Sequence, residues 1–322
     1  MLRTFSIIAC LSLATSAFAQ VGQPTAFSFL RLEPSATSAS LGGSVVASAT
    51  DDISSFLYNP ARLTPDMAGN VSLTYLNHLA DVNSGLVAYV YNSDKLSTTF
   101  GGAIRYMSWG TIKRTDELGI ESGDFNASGL ALTANASRAY DERTRYGASV
   151  HLIHSGIDTY GATALAFDLG LQYQVASSGF TAGASLSNAG VTLSSLGSTS
   201  DDLPVDLRIG ASKQLQHLPL LVSVGLFNLT DFEKINEDAS RVDDILHHLA
   251  IGGEFQFGSS FDLRFGYNHR RHDELKTKTR LDFAGFAMGA GIVVRKIRVD
   301  YARTSWSESG SLNQFTVTTR VR

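Results

Sequence analysis

From Val71 to the end of the chain, apolar and polar residues alternate with a period of two, and after the leader no stretch reaches 18 consecutive apolar residues. That period belongs to a pleated strand with two chemically different faces, and the missing long run removes helical membrane spans. Phe261, Leu263, Phe265 and Tyr267 point one way while Asp262, Arg264, Gly266 and Asn268 point the other. Leu165, Phe167, Leu169, Leu171 and Tyr173 oppose Ala166, Asp168, Gly170, Gln172 and Gln174 in the same manner. Ile297, Val299 and Tyr301 against Arg298, Asp300 and Ala302 repeat the pattern, as do Phe315 and Val317 against Thr316, Thr318 and Arg320. Fourteen candidate strands follow: 71–78, 84–91, 96–107, 124–137, 144–154, 163–175, 180–187, 205–213, 220–229, 248–257, 261–268, 285–294, 297–303 and 313–321.

A soluble sandwich and a membrane barrel share this local pattern, and connection lengths separate them. After the first hairpin, whose link at 79–83 is brief, short links near 92–95, 138–143, 176–179, 214–219, 258–260 and 295–296 alternate with longer polar ones at 108–123, 188–204, 230–247, 269–284 and 304–312, with 155–162 between the two classes. Short turns on one side and longer loops on the other are what a barrel crossing an outer membrane presents. Charged residues make up 17% of the chain, against about 25% in ordinary soluble domains. An even strand count lets one chain close on itself with both ends on one side. Closure is also required, because each unpaired backbone amide facing hydrocarbon costs several kcal/mol. The expected fold is therefore all-β: a fourteen-stranded antiparallel transmembrane barrel over 71–322. Tyr75, Tyr91, Tyr106, Trp109, Tyr173, Tyr267 and Tyr301 are candidates for interfacial girdles. The last residues, Val321-Arg322, lack the aromatic end expected of many such barrels.

Met1–Ala19 carries Arg3, an apolar run from Phe5 to Leu13 and a small-residue end at Ala17-Phe18-Ala19. It reads as a cleavable secretory signal with Gln20 first in the mature chain, its apolar core being shorter than the ~20 residues of a membrane anchor. The expected location is the outer membrane, with the N-terminus and short turns periplasmic and the longer loops outside. The single cysteine, Cys10, lies in the leader, so no disulfide framework or cysteine metal site is expected in the mature chain. A net charge of -4 gives no basic field for nucleic acid.

Nothing in the sequence assembles a catalytic centre. There is no Gly-x-Ser-x-Gly elbow and no His-Glu-x-x-His pattern. His269 and His272 stand in a polar loop, where three-residue spacing shares a face only if the loop turns helical. No enzyme and no cofactor is expected. Arg105, Asp168, Arg208, Glu254, Asp262, Arg264, Arg298, Asp300 and Arg320 are candidate luminal charges, read as pairing across strands or with residues inside the barrel.

Residues 20–70 precede the regular pattern and are too short for a separate domain. Pro34 and the small residues to Ser40 suggest a short helix or tight turn before Leu41-Gly42-Gly43. Asp51 or Asp52 can cap a second piece, which Asn59-Pro60-Ala61 ends. The expectation is a plug in the barrel mouth, with the Pro60 turn either only fixing it, or controlling a passage or positioning a periplasmic partner.

In these stretches the chain resembles the PorQ family of the type IX secretion system, and more distantly the PorV and long-chain fatty-acid transporter barrels. The matching segments are Phe29-Leu30 through Pro34-Ser35-Ala36, Leu41-Gly42-Gly43, Asn59-Pro60-Ala61, and Tyr75-Leu76-Asn77 with Ala80-Asp81-Val82-Asn83. Gly101-Gly102 through Arg105-Tyr106, Thr115-Asp116-Glu117 with Gly123-Asp124-Phe125, and Leu203-Pro204 with Phe227-Asn228-Leu229 continue the likeness. The resemblance implies a plugged fourteen-stranded barrel that serves secretion and surface attachment without catalysis, with a PorZ-like surface protein as partner. On that reading the external loops carry the contact, represented by Trp109, Asp116 and Glu117, by Leu196, by Phe232, and by His269 and His272. The fatty-acid transporter likeness implies the alternative, passage of a small hydrophobic ligand, for which a pocket of roughly 300 Å³ or more with a lateral opening would speak.

Overall fold

In the computed structural model the described residues are 25–43, 45–48, 50–78, 81–116, 119–197, 201–231, 241–276, 283–307 and 310–321. The expected leader lies outside them, as do Ala80, Glu117 and Phe232. Fourteen strands form one closed antiparallel ring. The first seven are β1 (Asn70–Asn77), β2 (Asn83–Ser93), β3 (Thr98–Thr115), β4 (Glu121–Ala139), β5 (Thr144–Ile157), β6 (Tyr160–Val175) and β7 (Phe180–Ser194). The second seven are β8 (Asp206–Gln214), β9 (Leu220–Leu226), β10 (Leu249–Phe257), β11 (Phe261–Asn268), β12 (Phe286–Val294), β13 (Ile297–Ser307) and β14 (Gly310–Arg320). Each strand pairs with its neighbours in sequence, and β1 pairs with β14, setting Leu73 opposite Val317 and Tyr75 opposite Phe315.

The two faces decide what solvent the ring was made for. Leu169, Leu171, Phe265, Met288 and Phe315 point outward and are 61, 57, 47, 55 and 46% exposed. Their strand neighbours Asp168, Arg264 and Gln314 point inward and are 2, 0 and 3% exposed. An apolar outer belt around a polar interior is the reverse of a soluble sandwich, so the soluble alternative falls and the ring is a membrane-spanning barrel.

Several expected loops are strand. β3 runs on to Thr115 and β4 starts at Glu121, so most of 108–123 is a tall hairpin. Its register shifts between Ser108 and Thr111, where Gly110 takes φ 72°, so the Trp109-Gly110 pair is a bulge inside the strand and not its end. Likewise β7 reaches Ser194, β5 and β6 meet across 158–159, and β13 and β14 reach Ser307 and Gly310. Two loops fold into helix instead: α2 (Arg241–His247) within 230–247 and α3 (His269–Leu275) within 269–284, the latter capped by Asn268 accepting from Arg271 N at 3.0 Å.

The described residues between 25 and 64 pack inside the ring. Helix α1 (Ala36–Ser40) has a capping box in which the Ser35 side chain accepts from Ser38 N, and short 3₁₀ turns make up the rest, at Ser28–Arg31, Val45–Ala47, Ile53–Leu57, Pro60–Arg62 and Pro65–Met67. Irregular backbone at membrane depth must have its polar groups answered by protein. The wall does so from many sides: Arg105 donates to Leu30 O (2.7 Å), Ser137 to Leu63 O (3.0 Å), Ser185 to Tyr58 O (2.7 Å) and Ser212 to Ala47 O (2.8 Å). Beside the β1–β14 seam, Gln314 donates to Glu33 O (2.9 Å) and Thr316 Oγ1 accepts from Ala36 N (2.9 Å).

Candidate functional site

The plug motif residues sit in seats made of glycine. Gly147 of β5 stands opposite Gly170 of β6. A Cβ at Gly147 would lie 2.2 Å from Pro60 O, and one at Gly170 would lie 2.1 Å from Asn59 Oδ1. With the wall stripped to backbone there, Asn59 Nδ2 donates to Leu171 O (3.0 Å) and to Val46 O (2.9 Å), while its Oδ1 accepts from Ala61 N (3.0 Å). Asn135 Nδ2 answers Pro60 O at 3.2 Å. A second seat holds Leu41-Gly42-Gly43. Gly42 and Gly43 take φ 69° and 83° to end α1, and their amides return to Ala39 O (3.1 Å) and Ser38 O (3.0 Å). A Cβ on Gly266 of β11 would come within 2.3 Å of Gly42 N, and Asn268 Nδ2 donates to Gly42 O at 3.1 Å.

Of the two candidate caps, Asp52 serves. Its Oδ1 accepts from Ser54 N (2.9 Å) and its Oδ2 from Ser35 Oγ, which ties the second piece to the start of α1, whereas Asp51 is exposed. Burial raises the Asp52 carboxyl above the ordinary range against the pull of both hydrogen bonds. Buried Arg62 donates to Thr50 O at 2.9 Å, and burial lowers its guanidinium to about 10.

Five of the nine candidate luminal charges form one network. Arg264 reaches Glu254 (2.5 Å), Asp300 (2.7 Å) and Asp262 (3.2 Å), and Arg298 reaches Asp262 (2.6 Å) and Asp300 (2.9 Å). Gly291 of β12 leaves the room, since a Cβ there would sit 2.4 Å from Asp300 Oδ1. The other four are elsewhere. Asp168 accepts from Asn188 N (2.7 Å), which a bulge in β7 aims at it, and lies 2.8 Å from His151 Nε2 without hydrogen-bond alignment. His151 Nδ1 in turn contacts Thr133 Oγ1 at 2.8 Å, a row that the sequence reading did not assemble. Arg105 serves the plug, Arg208 pairs with Asp206 at 2.5 Å over the Tyr58 ring, and Arg320 is exposed at the end of β14.

Between the plug and α3 lies a cavity of about 380 Å³. Its lining is mixed: Leu76 of β1, Phe227, Trp306 and Leu312 are apolar, while Arg31 and Glu33 from the plug, Asp206 and Arg208 from β8, and Arg270, Arg271 and Glu274 from α3 are charged. Burial raises the Glu33 carboxyl despite Arg271 nearby. Most of these residues went unnoticed in the sequence because they come from segments far apart in the chain.

The residues expected to carry external contacts divide. Trp109 is on β3, and its ring stands edge-on to Phe29 of the plug (centroids 6.4 Å), so it packs inward and belongs to neither a loop nor an outer girdle. Leu196 packs against the same interior cluster. Asp116 closes the tip of the tall hairpin, accepting from Ile120 N at 2.8 Å. His269 and His272 do share a helix, their rings 6.3 Å apart, but His272 Nδ1 contacts Ala284 O and His269 contacts Tyr267 and Asp273. Among the described residues no group of three His, Cys, Asp or Glu side chains is placed to hold a metal.

No family model matches the chain, and no curated protein matches it. Among solved structures, the Pseudomonas putida toluene transporter TodX superimposes with a TM-score of 0.58 at 15% identity, over 92% of this chain and 98% of that one. The deltaS2S3 mutant of TodX, described as a monoaromatic hydrocarbon channel, gives 0.56 at 14% identity, over 88% and 97%. At such identity the likeness is one of fold: this chain is a closed fourteen-stranded membrane β-barrel of the kind found in the outer membrane.

Proposed function

We propose that the chain is a non-enzymatic outer-membrane channel for small, largely apolar molecules, with the cavity above the plug as its binding station. The observation that carries this reading is the cavity of about 380 Å³ with Leu76, Phe227, Trp306 and Leu312 in its lining, a size within the range of small-molecule sites. The fold shared with a toluene transporter supports it. The wall is also low beside the cavity. β9, seven residues long, is the shortest strand of the ring, and Phe227 follows its end. On this reading the short turns and the N-terminus face the periplasm and α3 faces outward. The test is uptake of labelled toluene at micromolar concentration by a Gram-negative host without a hydrocarbon channel of its own. Cells expressing the chain should take it up several-fold faster than cells expressing a Leu312→Trp variant that fills the cavity; equal rates would remove the reading.

A second reading, the one that the PorQ resemblance implies, has its own observation. β3 and β4 span eighteen and nineteen residues, where about ten cross a bilayer, so their hairpin stands roughly 20 Å beyond it. Its flank carries Lys113 paired with Glu121 (3.4 Å) and Asp124 (3.3 Å), and Arg114 paired with Asp158 (2.6 Å). Such a raised, charged edge suits a surface-attachment subunit of a type IX system. Crosslinking and detergent co-purification from the native envelope should recover that subunit in near-stoichiometric amount if the secretion role holds, and a barrel without protein partners if it does not.

A further inference from the structure

The outward belt of the barrel is not evenly raised. Where β4 to β8 approach their short turns, it holds a groove of about 600 Å³ with an apolar lining. Two rungs of opposed residues build it. One runs Ala136, Ala148, Leu169, Leu186, and the next runs Arg138, Tyr146, Leu171, Ala184. The three alanines set the floor, and the larger side chains rise around it. Behind the floor the wall is one backbone thick, because Gly147 and Gly170 are the seats of the plug turn on the inner side. This face lies against hydrocarbon, so water does not fill the groove, and leaving it empty would forfeit contacts for every lining atom.

Arg138 decides between occupants. It stands one residue from the end of β4, in the outward phase, exposed and lining the groove. Its guanidinium has no ion-pair or hydrogen-bond partner among the described residues. Below the tall hairpin, no outward position of the fourteen strands among the described residues is Asp or Glu. A second copy of this chain would therefore bring no carboxylate from its own belt. A phospholipid brings a phosphodiester at the depth that a strand-end arginine reaches, and a guanidinium grips phosphate through two parallel hydrogen bonds. We infer that the groove seats one glycerophospholipid, its phosphate on Arg138 and one acyl chain laid over Ala136, Ala148 and Ala184. The site is on the opposite face of the wall from the cavity and does not depend on what the channel carries. On the orientation proposed above, it opens to the periplasmic leaflet.

The test is native mass spectrometry of the barrel, purified in a non-ionic detergent and stripped of copurifying lipid. It is titrated with dioleoylphosphatidylethanolamine and with dioleoylglycerol, which has the same chains and no phosphate. One phospholipid per monomer is expected, bound at least tenfold tighter than the diacylglycerol, a comparison that needs no variant. Arg138→Gln should remove the preference, and Arg138→Lys should restore part of it. Ala136→Phe raises the floor with another lipid-facing apolar side chain and should weaken both lipids at least tenfold. Arg303→Gln removes an outward cation of β13, which is remote from β4 to β8 in the ring, and should change neither. Equal affinity for the two lipids, an Arg138→Gln or Ala136→Phe variant that binds like the parent, or an equal loss in Arg303→Gln would overturn the inference. So would a dimer that forms on stripping and excludes added lipid.

Discussion

At the scale of single residues, a hydrogen in place of a methyl group decides whether the Asn59–Ala61 turn can touch the wall. Gly170→Val would drive its side chain into Asn59 Oδ1 and Ala61 N, neither of which can give way without breaking the hydrogen bonds to Val46 and Leu171. We expect a loss of roughly 3 kcal/mol or more in urea unfolding of the detergent-solubilised barrel. Gly102→Ala, on the outer face with nothing within 4 Å, should stay within about 0.5 kcal/mol. The carboxyl of Asp52 supplies a pH dependence. Its protonation constant is raised in the folded state by burial, so the folded form holds the proton more tightly than the unfolded form, which titrates near 3.9. The associated stability is full below that value and is lost as pH rises through the raised one. Urea midpoints measured upward from about pH 4 should therefore fall in the parent, and fall less steeply in Asp52→Asn.

Among the elements, strands β10 to β13 owe their inward faces to one buried cation. Arg264 is fully buried and reaches three carboxylates from three strands. Arg264→Met would leave buried negative charge with only Arg298 to answer it, and a loss of about 3–5 kcal/mol in the same assay is expected. The paired charges of β10, β11 and β13 were legible in the sequence because Glu254, Asp262, Arg264, Arg298 and Asp300 each occupy the polar phase of a clear alternation. The number of strands was legible for the same reason. Their lengths were not, because glycine and polar residues near the hairpin ends looked like loop: Trp109-Gly110 is absorbed as a bulge, and Asp158 turns the chain at φ 54° in a two-residue link. The cavity was not legible at all. Arg31, Asp206 and Arg271 come from three distant segments, and only the closed ring makes them neighbours. The glycine seats had a visible trace, a glycine in the inward phase of β5, β6 and β11, whose meaning needed the plug to be in place.

For the whole molecule the ring is the claim that matters most, and its seam can be tested directly. Leu73 and Val317 stand opposite each other on β1 and β14. Directly opposed antiparallel positions are within disulfide reach, and Cys10, ahead of the barrel, is the single native cysteine. Oxidation of a Leu73→Cys, Val317→Cys double variant in isolated membranes should give an intramolecular crosslink that shifts the gel mobility of the denatured chain; its absence would mean an open edge. The seam also bears on assembly. The segment that fills the interior is continuous with β1 and is touched by β14 through Gln314 and Thr316. What fills the lumen is thus made first and walled in last, so the sheet must curl around cargo it already carries, and a chain that loses its early contacts would seal as an empty tube.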